Sequence, residues 1–315
     1  MCATTLPERG PTARGTGGGV MTRGHGPTVR RRRLAGELRR LREAAQLTID
    51  DVADRLECSA SKVSRIETGQ VGVTPRDARD MLELYGVTGD EQEALVQLAR
   101  EARKRGWWHA YNEVFTGAFV GLEADASSLR AYQALLVPGL LQTERYARAV
   151  IRAMRPGAEE SEIERRVAAR RARQRLLSEE SPPEYWAVVD EAVLHRVVGG
   201  PEVMAEQLSR LAEAARSPHV TVQVVPFGAG AHPGMEGPFL ILGFPEQADP
   251  DVVYVDSTSS GLYLEMESDV RRYARMFDHL RAAALKPDDS VDVITGAAWR
   301  FDSGSDTSDV ERTKE

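Results

Sequence analysis

Apolar positions recur along this chain first with a helical period and then with a strand period. Leu34, Leu38, Leu41 and Ala45 fall at helical spacing and predict a first helix over about residues 30–45. In "QLTIDDVADRLECS", Val52 and Leu56 supply the inward face of a short second helix. Thr48 suits its N-cap, and Asp50 and Asp51 suit the positive end of its dipole. Glu57 and Cys58 make a turn, Ser59 caps "SASKVSRIETG", and Gly69 ends it as a C′ glycine. That third helix carries little apolar surface. Only Val63 and Ile66 share one stripe, while Ser61, Lys62 and Arg65 look elsewhere. "TPRDARDMLELYG" predicts a fourth helix with Thr74 as cap and Pro75 at N1. "GDEQEALVQLAREARKRG" predicts a fifth, with room to run on as a connector.

Beyond residue 106 the signals mix. Trp107 and Trp108 read as packing at a domain interface rather than as a stacking platform. "LLVPGLLQT" places Pro138 and Gly139 between helical runs, as a turn followed by a new helix. "SEIERRVAARRARQRLL" predicts another, whose Arg165, Arg166, Arg170, Arg171, Arg173 and Arg175 read as a solvated face balanced by nearby acids rather than as a DNA contact. The period then shortens. "EYWAVVDE", "VTVQVVPF", "GPFLILGF", "DVVYVDS" and "LYLEM" predict strands, with the amphipathic helix "GPEVMAEQLSRLAEAARS" between the first two. "SDVRRYARMFDHLRAAAL" predicts a closing helix that buries Tyr273, Phe277 and Leu280. The expected fold is an all-α helix-turn-helix bundle followed by an α/β or α+β C-terminal domain. The boundaries expected are a disordered tail at 1–27, the bundle at 28–105, the α/β domain at 106–285 and an acidic disordered tail at 286–315.

Two short helices separated by about three residues form a helix-turn-helix whose second member is the reader. Charge supports that division. The whole chain is at −7, yet residues 1–106 carry +4 and the remainder −11. A basic front and an acidic rear suggest a nucleic-acid module joined to something else. Cys2 and Cys58 are the only cysteines, too few for a disulfide framework or a zinc site, and fit a reducing cytoplasm. No apolar run is long enough to span a membrane, and residues 1–27 lack the core of a secretory signal.

Candidate chemistry is sparse. The six histidines form no close ligand pair. "DEAVLH" puts Asp190, Glu191 and His195 near one strand end, where a metal or proton-shuttling role competes with a purely structural one. "GAGAHPGMEGP" lacks the Lys-Ser/Thr of a P-loop and suits a loop between strands, and "GTGGG" has no strand before it. The expectation is a protein that is not an enzyme and uses no cofactor or metal.

"LTIDDVADRLECSASKVSRIETGQ" resembles the helix-turn-helix of the XRE (Cro/C1-type) repressors, through Ala53, Ser59, Val63, Ile66, Glu67 and Gly69. Ile49 departs from that pattern: a glutamine often opens this helix and touches a phosphate, so that contact is in question. With Val63 and Ile66 inward, Ser61 and Arg65 share the outward face at i, i+4. Arg65 has the fork geometry to grip a guanine, and Ala60 and Ser61 lie at the amino end that enters a major groove. Lys62 and Ser64 are candidates for base edges or phosphates, and Gln70 for the backbone; plain solvated surface is the alternative for each. The resemblance implies that Glu67 turns inward to pair with Arg42, rather than sitting on the surface. Arg30, Arg31, Arg32 and Arg33 suit either a basic arm on DNA or a soluble flank.

The rear half also resembles a known unit. "GWW", "GLEADA", "VPGLLQTERYARAV", "VVDEAVLHRVVGG", "MAEQLSRLAE" and "VTVQVVPF" are similar to a domain of unknown function that follows XRE units in antitoxin-like regulators of actinobacteria. The resemblance implies a small protein partner encoded nearby. The expected partners are therefore a double-stranded DNA operator, a second copy of the chain and that small protein. One helix-turn-helix reads too few base pairs to select a site alone, which makes a homodimer through residues 106–285 the expected reader. The competing expectation is a small-molecule-gated repressor with a pocket in the rear domain. Either regulator belongs in the cytoplasm, at the nucleoid.

Overall fold

The computed structural model describes residues 29–103, 107–111, 113–115, 118–245, 249–256 and 261–303. The expected tail at 1–27 lies outside the described residues, as does the end of the expected acidic tail, from 304. The front bundle comprises α1 (Val29–Ala44), α2 (Ile49–Arg55), α3 (Ala60–Glu67), α4 (Pro75–Leu84) and α5 (Asp90–Glu101). Its core gathers Leu34, Leu38, Val52, Val63, Met81 and Val96. Thr48 and Asp51 cap α2 reciprocally, each backbone N–H donating to the other's side chain. Glu57 then adopts a left-handed φ of 48°, which turns the chain into α3. Gly69, at φ 69°, ends α3 in a conformation that favours glycine.

The rear domain runs α6 (Phe119–Asp125), β1 (Ser128–Gln133), α7 (Glu144–Met154), α8 (Glu160–Gln174), β2 (Glu184–Asp190), α9 (Ala192–His195), α10 (Pro201–Ala214) and β3 (Val220–Val225). Then come β4 (Phe239–Gly243), β5 (Val252–Val255), β6 (Leu262–Leu264), α11 (Glu267–Ala283) and α12 (Pro287–Asp302). The six strands make one mixed sheet in the order β3-β2-β1-β4-β5-β6. β1, β2 and β3 pair in parallel, and β4, β5 and β6 continue antiparallel from β1. This is an α+β domain.

Both faces of the sheet are buried, because successive side chains point to opposite sides and each side has a helical cover. Leu129, Ala187, Val222 and Leu242 pack on one face with Leu208 and Ile294 of α10 and α12. Tyr132, Val188 and Ile241 pack on the other with Phe277 and Leu280 of α11. Every residue of β4 is buried, as this sandwiching requires.

Two expectations are corrected here. The segment from 286 is no solvated tail as far as residue 303, because Ile294, Ala297 and Ala298 of α12 are buried against α10. The connection into α12 also covers the exposed edge of β3. Leu285 N donates to Val224 O at 2.8 Å, and Val224 N donates to Ser290 Oγ at 3.0 Å. An edge strand left bare would template unwanted pairing, and this segment prevents it. The second correction is β1: a helical run was expected before Pro138, and residues 128–133 instead form a strand inside the sheet.

Ile294 supplies the test. Ile294→Ala should lower unfolding free energy by about 2–5 kcal/mol, as for other buried large-to-small changes. Urea denaturation measures it, and a solvated segment would show no change.

Candidate nucleic-acid interface

The third helix is held by few contacts. Ser59 Oγ accepts a hydrogen bond from Lys62 N at 3.2 Å, and Val63 and Ile66 enter the bundle core. Opposite them, Ser61, Arg65 and Gln70 are exposed, while Ala60, Lys62 and Ser64 are half-buried. Arg65 lies back on its own helix, with Nε donating to Ser61 O at 3.2 Å. The outward stripe therefore presents a hydroxyl, a guanidinium and an amide. Those are groups that read base edges and touch phosphates.

Lys62 is engaged. Its Nζ lies 3.1 Å from Asp77 Oδ2 on the first turn of α4, in a partly exposed pair. Contact with a phosphate would require exchange of that carboxylate for the phosphate. The same bridge brings the first turn of α4 beside α3, and with it Arg76, which is exposed. Sequence reasoning passed over Arg76; its place next to the cap in "TPRD" was the available signal.

Glu67 turns inward. Arg42 Nε donates to Glu67 Oε1 at 2.7 Å and Nη2 to Oε2 at 2.9 Å, with both residues buried. Arg42 Nη1 also donates to Leu47 O at 2.8 Å, so one guanidinium joins α1, the turn into α2 and α3. The hydrogen bond to Glu67 raises the Arg42 pKa above its ordinary value, despite burial. Burial, reinforced by the Glu67 charge, pushes the neighbouring Tyr85 hydroxyl far up as well.

The four-arginine run forms neither a free arm nor a solvated flank. It is the start of α1, and two of its members bond to the rear domain: Arg30 Nη1 lies 3.4 Å from Asp125 Oδ1 and Arg32 Nη2 2.9 Å from Glu265 Oε2. The arginines of α8 divide too. Arg166 and Arg171 pair with Glu162 and Glu144 at the surface. Arg173 instead turns in to Glu123, which is almost wholly buried, and Arg170 Nη1 donates to Gln142 Oε1 at 2.6 Å. Burial lowers the Arg170 pKa to about 10. A wholly solvated face was the wrong expectation for this helix.

The "DEAVLH" trio is consumed by local structure. Asp190 Oδ1 accepts from Ala192 N at 2.9 Å, and Glu191 Oε2 accepts from Phe227 N at 2.7 Å. His195 Nε2 lies 3.3 Å from Glu191 Oε1, and His232 Nε2 lies 3.4 Å from Asp190 Oδ2. Among the described residues no group of three or more His, Cys, Asp or Glu is arranged to hold a metal. No helix among them is long and apolar enough to cross a membrane. Trp107 packs edge-on against Trp108, Tyr111 and Phe115 where the chain enters the rear half.

A five-helix bundle that projects a short polar helix from a tight turn defines a helix-turn-helix module. Residues 33–95 match the family model of a helix-turn-helix domain. Residues 116–296, more than half of the chain, match a domain of unknown function (DUF5753), and the chain belongs to that family. No curated protein and no solved structure matches it.

The buried pair yields a test. Glu67→Ala removes the buried partner of Arg42 and leaves it only Leu47 O and the more distant Glu43, which should cost about 3–5 kcal/mol. Thermal and urea melts of the full chain measure it. A variant as stable as the wild type would mean that the pair does not hold α3.

Proposed function

We propose that this protein is a sequence-specific transcriptional regulator of the XRE type. It reads a double-stranded operator with α3 as a homodimer, and its rear domain joins the two copies and binds a small protein partner. The small protein partner is what the resemblance to antitoxin-like actinobacterial regulators implies. The observation that carries the reading is the division of α3 into a buried stripe of Val63, Ile66 and Glu67 and an exposed one of Ser61 and Arg65. Arg65 is the base reader in this proposal. Ala60 and Ser61 lie against the groove floor, Ser64 and Gln70 serve the backbone, and Lys62 exchanges Asp77 for a phosphate. Regulation then needs no catalysis and no cofactor, and it takes place in the cytoplasm, at the nucleoid. A second reading, an effector-gated repressor, is favoured by a cavity of about 540 Å³ in the rear domain.

Operator footprinting and salt titration test the first reading. Arg65→Ala should lose about 1–3 kcal/mol of discrimination at one operator position. Lys62→Ala should weaken all sequences alike and flatten the salt dependence. Unchanged operator affinity in Arg65→Ala would sink the assignment, and a monomer in light scattering of the operator complex would sink the dimer.

A further inference from the structure

The rear domain is acidic overall, yet its cavity is not. One wall is Ala168, Arg171 and Ala172 of α8, continued by Arg175 at its C-cap. The facing wall brings Arg210 and Ala214 from α10, then Ser217 and His219 from the loop into β3. Among the described residues no Asp or Glu lines the space, although residues 107–315 carry a net charge of −11. Alanines on both walls leave the room, and three guanidiniums supply the charge.

We infer that this cavity is the binding site of a small phosphorylated molecule. Guanidinium forks match phosphate oxygens in pairs, and three of them around one space suit more than one negative charge. The volume of about 540 Å³ falls within the usual range of small-molecule sites. Leu140, Leu177 and Tyr111 give the organic part of such a ligand an apolar rest.

The cations are available. Arg175 is exposed and has no partner among the described residues. Arg171 and Arg210 each hold one carboxylate, Glu144 and Glu213, both at 2.8 Å and at the surface. Such exposed pairs are weak and leave the remaining N–H donors free. The walls, by contrast, are fixed. Gln174 Nε2 donates to Gly139 O at 3.0 Å and Gln142 O at 2.7 Å, and Gln142 Nε2 donates to Val137 O at 2.7 Å. His219 Nε2 lies 3.0 Å from Leu177 O. A site whose walls are already held loses little freedom when it binds.

Tyr111 belongs to the short 3₁₀ turn Trp107–Tyr111, the next described element after α5. A ligand in the cavity therefore touches the segment that follows the reading bundle. That consequence rests on the effector-gated reading above, whereas binding itself does not.

Isothermal titration of the full chain with sodium pyrophosphate, at constant ionic strength and without DNA, tests the site. Citrate serves as the carboxylate control. The wild type should bind one pyrophosphate saturably and more tightly than citrate. Arg175→Gln and Arg210→Gln should each weaken binding about tenfold, the loss of a charge-assisted contact. Ala172→Leu should block the cavity without changing its charge, and its operator gel shift should match the wild type. Absence of saturable heat in the wild type, or undiminished binding in Arg175→Gln or Ala172→Leu, would overturn the inference. So would arginine variants that lose operator affinity together with pyrophosphate affinity, because pyrophosphate would then be standing in for a DNA phosphate. Intact operator binding with no pyrophosphate binding leaves the DNA-reading proposal standing and removes this one alone.

Discussion

Eight residues with two buried aliphatic side chains cannot hold a helix in place by packing alone, so the position of α3 depends on Arg42 and Glu67. Two charges taken out of water are costly unless their donors and acceptors are met. Three hydrogen bonds meet them here: two to the Glu67 carboxylate and one to the Leu47 carbonyl. The orientation of the helix follows. With Glu67 drawn inward beside Ile66, the opposite stripe of Ser61 and Arg65 has to face solvent. An inward carboxylate is what points the outward arginine.

The rear domain uses the same physics in the loop that follows β1. The stretch 137–143 turns between β1 and α7 beneath helical cover, where water cannot satisfy its backbone. Side chains do so instead. Gln142 reaches Val137 O, Gln174 reaches Gly139 O, and Gln207 bridges Leu141 O and Thr143 N. Arg173 packs against Phe119 and bonds to Glu123, tying α8 to α6. These inward polar groups determine which arginines of α8 remain at the surface, and so which ones line the cavity. Charge in this half is organised by helix face, and a net count over the segment conceals that.

Where one face of an element meets water, its pattern showed in the sequence. The caps at Thr48, Ser59 and Thr74 stood out because each satisfies an orphan N–H with a particular side chain. The apolar strands β2 to β5 stood out because burial on both faces makes near-continuous runs. β1 did not, since "SLRAYQ" carries Arg130, which bonds to Asp251, and its neighbouring leucines suggested a helix. For α12 the helical spacing of Ile294, Ala297 and Ala298 was present, but its acidic, small-residue composition masked it. The Lys62–Asp77 bridge and the inward turn of Arg170 and Arg173 depend on how separate helices pack, which spacing within one helix does not encode.

One element joins the two halves mechanically. Val29, at the start of α1, is buried in the rear core, and Arg30 and Arg32 grip Asp125 and Glu265. Near the other end of the same helix, Arg42 grips Glu67 of α3. Sixteen residues of α-helix form a lever of about 24 Å, stiff along its length. A displacement of the rear domain at Asp125 and Glu265 would pass along α1 to α3, because the same helix carries the contacts at both ends. A tilt of about 10° over that lever displaces its far end by roughly 4 Å. In the proposed homodimer, two heads that must meet half-sites about 34 Å apart could not absorb such an error at both ends. The arginine run suited either a DNA-binding arm or a soluble flank in sequence, and its structural place is the end of α1 that is fastened to the rear domain.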